Sequence, residues 1–374
     1  MSQSLDSGNI TDTTRREHGV SSPPRLLVEL LEGTGVTIGG NGPCDIQVHD
    51  AETYRRVLTR GSLGFGEAYM DGLWDCQQLD SMFARLHRAG ISERIRTLPR
   101  LRVLLSTLSG IAGDWLINYQ SPRRAFRIGE RHYDIGNEIF EAMLDPTLSY
   151  SCAYWAHAEN LEQAQRDKLD MICRKLELRP GERLLDIGCG WGGLARHAAQ
   201  HYGVEVFGIT VSREQLTLAR ERCAGLPVTL ELMDYRDLRG RYDKIASVGM
   251  FEHVGPKNYT SYFDTVRRLL AEDGLMLLHT IGDSATSHSN DPWINKYIFP
   301  SSKLPSAQQI AEAIEPDLVI RDWHEFGADY DRTLMAWWTN FNRSWSSLQT
   351  ATCDERFYRM WKYYLHCCAA GFRS

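Results

Sequence analysis

Three groups of residues in this 374-residue chain have types and spacings suited to chemistry. The most compact is the run Asp186-Ile187-Gly188-Cys189-Gly190-Trp191-Gly192-Gly193. Its glycines let the backbone turn tightly and let a ligand approach closely. A dinucleotide turn reads G-x-G-x-x-G and faces a pyrophosphate. Here an acid precedes the first glycine, and a carboxylate at a strand end suits a ligand with an ammonium group, acting through water. The run therefore points to S-adenosylmethionine. The second group follows the next two strands. Thr210-Val211-Ser212 and Gln215 stand where an acid often binds ribose hydroxyls. Asp234 could accept the adenine amino group, Tyr235 could stack on the ring, and Arg236 shares their turn. Tyr235 also reads as a half-buried aromatic at a strand end. The third group is dispersed: Tyr150, Ser151 and Cys152, Glu252, His279, Ile281, Tyr330 and Cys368. Taken singly, His279 reads as a hydrogen-bonded core histidine, Glu252 as a helix cap and Tyr330 as a surface tyrosine.

These groups need a frame. The spacing predicts strands at Arg183–Ile187, Val204–Thr210, Val228–Leu232, Lys244–Gly249 and Leu275–Ile281. Helices are expected at Leu194–Tyr202, Arg213–Cys223 and Tyr259–Leu270. Such alternation specifies an α/β fold, a Rossmann-like doubly wound parallel sheet with its ligand at the carboxyl ends of the strands. Upstream, residues 25–90 read as a small α+β unit. It has a helix from Arg25 to about Gly33, strands at Val36–Gly39 and Asp45–His49, and helices at Ala51–Thr59 and Leu79–His87. Residues 1–24 are polar, lack a signal-peptide core and are expected to be a disordered tail.

The formal net charge of −6 argues against nucleic acid as a partner. No apolar run reaches the ~18 residues of a membrane span. The nine cysteines form no CxxC pair and have irregular spacing, which argues against a disulfide framework or a zinc cage. No metal site is expected. Residues 91–131 carry eight arginines against three acids, interleaved with leucines, valine, isoleucine and tryptophan. This segment reads equally as a surface for an anionic bilayer or as an interdomain helix with a solvated basic face.

Further blocks add to these groups. They are His132-Tyr133-Asp134, Leu144-Asp145-Pro146, Tyr150-Ser151-Cys152-Ala153-Tyr154-Trp155, the glycine-rich loop, Val248 to Gly255, Leu278 to Gly282, Tyr297-Ile298-Phe299-Pro300 and Phe326 to Tyr330. In this order they resemble the bacterial cyclopropane-fatty-acyl-phospholipid synthases, over about residues 26–373. The resemblance implies a class I methyltransferase domain and methylene transfer from S-adenosylmethionine to the cis double bond of a phospholipid acyl chain. The resulting carbocation would lose a proton to a bound bicarbonate as the ring closes. It assigns the bicarbonate to the backbones of Cys152 and Ile281 and the side chains of Glu252, His279 and Tyr330. Tyr150 and Ser151 would cover the cofactor. Cys368 matches a family cysteine at the active site, although no step needs a thiol nucleophile. Trp293, Tyr297, Ile298 and Phe299 match a segment near the acyl tunnel, or read as ordinary core.

The domain expectation is a tail at 1–24, a lipid-binding unit at 25–119, a basic linker at 120–131 and a catalytic domain at 132–374. The resemblance also implies a homodimer in the cytoplasm, peripherally bound to the anionic inner membrane and its unsaturated phospholipids. Relatives continue past Ser374 into a last strand of the sheet, so an unpaired edge is expected here. The alternatives are a lipid C-methyltransferase making a methyl branch, or an inactive membrane-binding form.

Overall fold

The computed structural model describes residues 22–97, 136–286, 290–315, 318–350 and 353–374. The expected N-terminal tail up to residue 21, most of the basic segment and the block at 132–134 lie outside the described residues.

The chain begins with α1 (Arg25–Leu31), β1 (Gln47–Val48), α2 (Glu52–Met70), β2 (Trp74–Asp75), α3 (Leu79–Arg88) and α4 (Ile91–Thr97). The strand expected at 36–39 reduces to one bridge between Ile38 and Ile46, and that at 45–49 shortens to β1, which pairs with β2. The reason is local. The Asp45 carboxylate accepts the backbone N–H groups of Thr37 and Gly42 at 2.8 and 2.7 Å, so a side chain takes donors that a ladder would use. Helix α2 runs well beyond the expected Thr59, through Gly61 in a positive-φ kink. Its Gly66 meets another element: a Cβ there would lie 2.4 Å from the Trp293 indole.

Next come α5 (Asn137–Met143) and α6 (Leu161–Lys175), then β3 (Arg183–Ile187), α7 (Gly193–Tyr202), β4 (Glu205–Thr210), α8 (Arg213–Arg222), β5 (Val228–Leu232), β6 (Tyr242–Val248), α9 (Tyr259–Leu269) and β7 (Leu270–His279). The five strands form one parallel sheet in the order β5-β4-β3-β6-β7. Leu184, Leu185 and Ile187 of β3 and Ile245 and Ala246 of β6 are buried, as expected of central strands covered on both faces. The order reverses between β3 and β6, which opens a crevice at their carboxyl ends. Strand β7 starts earlier than expected, at Leu270 opposite Tyr242, and a register irregularity separates that pair from Leu275 opposite Lys244. Among the described residues β7 pairs only with β6, and no strand forms at 318–326, where Val319 and Trp323 are 86% and 57% exposed.

The chain closes with α10 (Pro292–Tyr297), α11 (Ala307–Ile314), α12 (Asp329–Leu348) and α13 (Glu355–Arg373). These last helices share a core with the N-terminal unit. Trp74, Phe83 and Met82 belong to the same buried cluster as Trp293, Trp337, Trp361 and Tyr363. Across the seam Arg373 bridges Asp80 and Asp331 at 2.7 Å each, and Arg359 donates to the Trp74 carbonyl and to Asp75. No described helix is long and apolar enough to cross a membrane.

Candidate active site

The crevice at the sheet's switch point is walled by the glycine-rich loop. Gly188 has φ +87°, and a Cβ there would lie 2.8 Å from Met250, so position 188 excludes a side chain on two counts. Of the residues expected to bind the cofactor, Tyr150, Ser151, Asp186, Ile187, Gly188, Cys189, Gly190, Trp191, Gly193, Thr210, Val211, Gln215, Asp234, Tyr235 and Arg236 line this one cleft. Gly192 and Ser212 do not. Gly192 is the left-handed residue that opens α7, and the Ser212 hydroxyl caps α8 by accepting the Gln215 N–H at 3.3 Å.

Burial sets the protonation of the cleft's charged groups. Asp186 is 2% exposed, and desolvation pushes its carboxyl up to about 7 while Lys168 pulls it down. Its Oδ2 is buried with no hydrogen-bond partner. Thr210 donates to the Gln215 amide oxygen at 2.9 Å, which leaves the Gln215 amide N–H groups able to bond ligand hydroxyls. The Asp234 carboxylate is more committed than expected, because both its oxygens accept the Arg236 guanidinium at 2.7 Å. Tyr235 is buried and packs edge-on against Tyr262 while still facing the cleft. Tyr150 shares a 2.9 Å hydroxyl bond with Tyr364, and Trp191 donates to Asn137 Oδ1 at 2.9 Å. Both rings pack on Phe140, giving the cleft a braced aromatic flank.

A second group of side chains gathers beside it. Glu252 lies just past β6, and His279 ends β7 directly opposite Val248. Glu252 Oε1 accepts the Ile281 N–H at 2.8 Å, so that donor is already engaged; Glu252 Oε2 is buried without a partner. Desolvation raises the Glu252 pKa against the Ile281 bond that lowers it. His279 Nδ1 is likewise buried and unpartnered, and burial, helped by Lys168, holds the ring down to about 3, so the imidazole is neutral. Tyr330, in the first turn of α12, sits within electrostatic reach of Cys152, Glu252, Tyr150 and Cys368 and stacks on Phe372 at 4.4 Å. Phe326 joins His279 to this group: its ring is 5.2 Å from the imidazole, and its carbonyl is 3.9 Å from the Cys152 thiol. Burial raises the pKa of both thiols, Cys152 strongly and Cys368 to about 12, so neither is a thiolate nucleophile at neutral pH.

Ser149 and Lys168, which lie outside the motifs, also line the cleft, as do Met250 and His253 of the Val248–Gly255 block. Lys168 does carry a signal. It falls on the face of α6 otherwise occupied by buried Leu161, Ala164, Gln165, Leu169 and Ile172. Among the described residues no cluster of His, Cys, Asp and Glu could hold a metal. Trp293 and Ile298 are buried in the large shared core.

A parallel sheet in this order with such a cleft defines an S-adenosylmethionine-dependent methyltransferase of class I. Residues 120–374 match the family described as "Mycolic acid cyclopropane synthetase", and the chain belongs to that family. It is 54% identical over 350 residues to the cyclopropane-fatty-acyl-phospholipid synthase of Escherichia coli K12, covering 94% of this chain and 90% of that one. The solved structure of the cyclopropane synthase MmaA2 from Mycobacterium tuberculosis is similar, with a TM-score of 0.62 and 30% identity over 66% of this chain and 93% of that one. So is the mycolic acid cyclopropane synthase CmaA1 complexed with SAH and CTAB, with a TM-score of 0.60 and 32% identity over 66% of this chain and 93% of that one.

Proposed function

We propose that this enzyme converts the cis double bond of an unsaturated phospholipid acyl chain into a cyclopropane. The observation that carries the reading is the pair of buried, unpartnered polar atoms, Glu252 Oε2 and His279 Nδ1, beside the cofactor cleft. Buried polar atoms are ordinarily bonded, and the Glu252–Ile281 bond ties Glu252 to the segment that follows His279, so these two exceptions are read as a place for a small polar guest. Its donor set fits bicarbonate: Glu252 accepts the guest's hydroxyl proton, while Tyr330 and the neutral His279 donate to its oxygens. S-adenosylmethionine, when bound, supplies the electrophilic methyl, and bicarbonate supplies a base for the proton lost at ring closure.

The protein's own residues do the rest. The glycine-rich loop and Asp186 hold the cofactor's amino-acid arm, and Gln215 and Asp234 orient its nucleoside. Glu252 fixes the base's orientation through the Ile281 N–H, which pins its other oxygen at 2.8 Å. The aromatic faces of Tyr330 and Tyr150 surround the reacting carbon, exclude water and offer π-density to a developing cation. Cys152 and Cys368 line the space as neutral thiols.

The N-terminal unit is read as the lipid-facing part, and the protein as a cytoplasmic homodimer resting on the anionic inner membrane. Arg94, at the start of the basic segment, serves the fold rather than the bilayer. It donates to the Leu30 and Glu32 carbonyls at the end of α1.

The test is incubation of the 374-residue protein with labelled S-adenosylmethionine and vesicles of unsaturated phospholipid, followed by mass spectrometry of the acyl chains. Ring-bearing chains are the expected product. A methyl-branched chain, or label only in non-lipid acceptors, overturns the reading. Vesicle binding should weaken with added salt and with neutral lipid.

A further inference from the structure

Lys168 is 1% exposed, on the inward face of α6, and its ammonium donates to Ser151 Oγ at 2.9 Å. An ammonium has three donors and no acceptor, so in this bond Ser151 must accept. The serine proton is therefore turned away from Lys168, and both residues line the cofactor cleft. The same helix face fixes the serine's backbone. Gln165, fully buried, donates from Nε2 to the Ser149 and Ser151 carbonyls at 3.2 and 3.0 Å. The serine's backbone is thus held by Gln165, and its hydroxyl is polarised by a cation behind it.

Asp186 stands in the same cleft with an unpartnered buried Oδ2. The cleft consequently presents an acid acceptor and a cation-backed donor. That arrangement is complementary to the two charges of an α-amino acid, ammonium and carboxylate. A buried ammonium bonded to a neutral hydroxyl is costly, and a ligand carboxylate at the serine would offset the cost. Burial brings the ammonium down to about 8, with Asp145, Cys152 and Asp186 opposing, so it stays charged at neutral pH.

We propose that Lys168 is a positioning residue: through Ser151 it aims a hydroxyl donor at the carboxylate of the cofactor's amino-acid arm and makes the cleft select a carboxylate-bearing ligand. This rests on the reading of the cleft as an S-adenosylmethionine site. It explains why a lysine occupies the apolar face of α6, where a residue holding only the loop would need no charge.

The test compares two probes by isothermal titration calorimetry: S-adenosylhomocysteine, and its decarboxylated analogue, which keeps the ammonium. Lys168→Met should weaken S-adenosylhomocysteine by about tenfold or more and the analogue by less than about twofold. Ser151→Ala should reproduce that pattern, and the double variant should be no worse than Ser151→Ala alone. In turnover, Lys168→Met should raise KM for S-adenosylmethionine more than it lowers kcat. Equal weakening of both probes, no weakening, or additive losses overturn the proposal. If circular dichroism shows Lys168→Met unfolded, Ser151→Ala decides alone, by whether it separates the two probes. Wild-type protein that shows this selectivity yet forms no cyclopropane overturns the proposed function and leaves this inference standing. Wild-type protein that binds neither probe overturns both.

Discussion

The cofactor cleft and the neighbouring group of buried side chains proposed to meet the acceptor are built in opposite ways. The cleft is built around one tight loop. Residues 186–193 and the ends of β4 and β5 supply much of its wall, completed by residues 148–151, Lys168 of α6 and the turn after β6, and Gly188 is there because a backbone must bend and nothing can project. The second group is side chains from separated elements: Cys152 before α6, Glu252 after β6, His279 at the end of β7, Tyr330 on α12 and Cys368 on α13. The cleft holds polar atoms ready for a charged, hydrogen-bonding molecule. The second group holds two lone polar atoms in an aromatic surround. On the proposed function, one half of the site is set by local conformation and the other by topology, and the two halves should fail differently.

The largest separation is expected at Glu252. Glu252→Gln keeps the shape but removes the acceptor for a guest's proton. Product formation should fall by about 10²–10⁴-fold, the span of a lost acid–base contribution. S-adenosylhomocysteine affinity should stay within about twofold by calorimetry. A parallel loss of affinity would mean the two halves are one site. The converse variant is Gly188→Ala, which adds a methyl in a positive-φ position against Met250. It should weaken S-adenosylhomocysteine by at least about tenfold, since the strain alone is roughly 1–2 kcal/mol; unchanged affinity would show that the loop is not the cofactor wall.

The pH dependence sharpens the contrast further. Asp186 is poised at about 7 with Lys168, at about 8, beside it, whereas His279 is held at about 3. In the free cleft Asp186 takes up a proton as pH falls through about 7, so affinity for a ligand ammonium should drop, by at most about tenfold per unit below that value. Asp186→Asn should flatten that limb. His279 stays neutral from pH 8 to 5 and should add no limb of its own. For stability the sign is the usual one for a depressed histidine. Below about 6.5 the unfolded chain binds the proton that the native His279 refuses, so stability is lost as pH falls toward about 3. The smallest effect is expected at Cys368. With its thiol pushed up to about 12, Cys368→Ser should change product formation by less than about threefold, measured by gas chromatography of the acyl chains. A hundredfold loss would give the thiol a chemical role.

The contrast also explains which parts are legible in residue order. Strands β3 to β6 stand within a residue or two of expectation because each is a short run entered just after a glycine or proline, Gly181, Gly203, Pro227 and Gly240. Strand β7 begins five residues before its apolar pattern does, since Glu272, Asp273 and Gly274 interrupt that pattern. Helix α2 outruns its expected end because Gly61, Gly64 and Gly66 resemble a stop, while the bare backbone at Gly66 in fact admits Trp293. The glycine-rich loop announces its ligand class through local conformation alone. Glu252, His279 and Tyr330 have no local signature, and only the resemblance joins them. Lys168 is hard to read because lysines on helices almost always face water.

The seam between the N-terminal unit and α13 bears on how this chain is made. Trp74 and Phe83 complete their packing against Tyr363 and its neighbours, and Arg359 reaches back to Tyr69 and Trp74. Contacts spanning some 285 positions of sequence form only after the intervening chain exists. The first helices to leave the ribosome therefore wait, with tryptophan and phenylalanine uncovered, for nearly the whole polypeptide to follow. At roughly 5–20 residues per second that interval is on the order of 14–60 s. A holdase that shields the early segment should raise the yield of native protein, and synonymous slowing of translation after residue 97 should lower it.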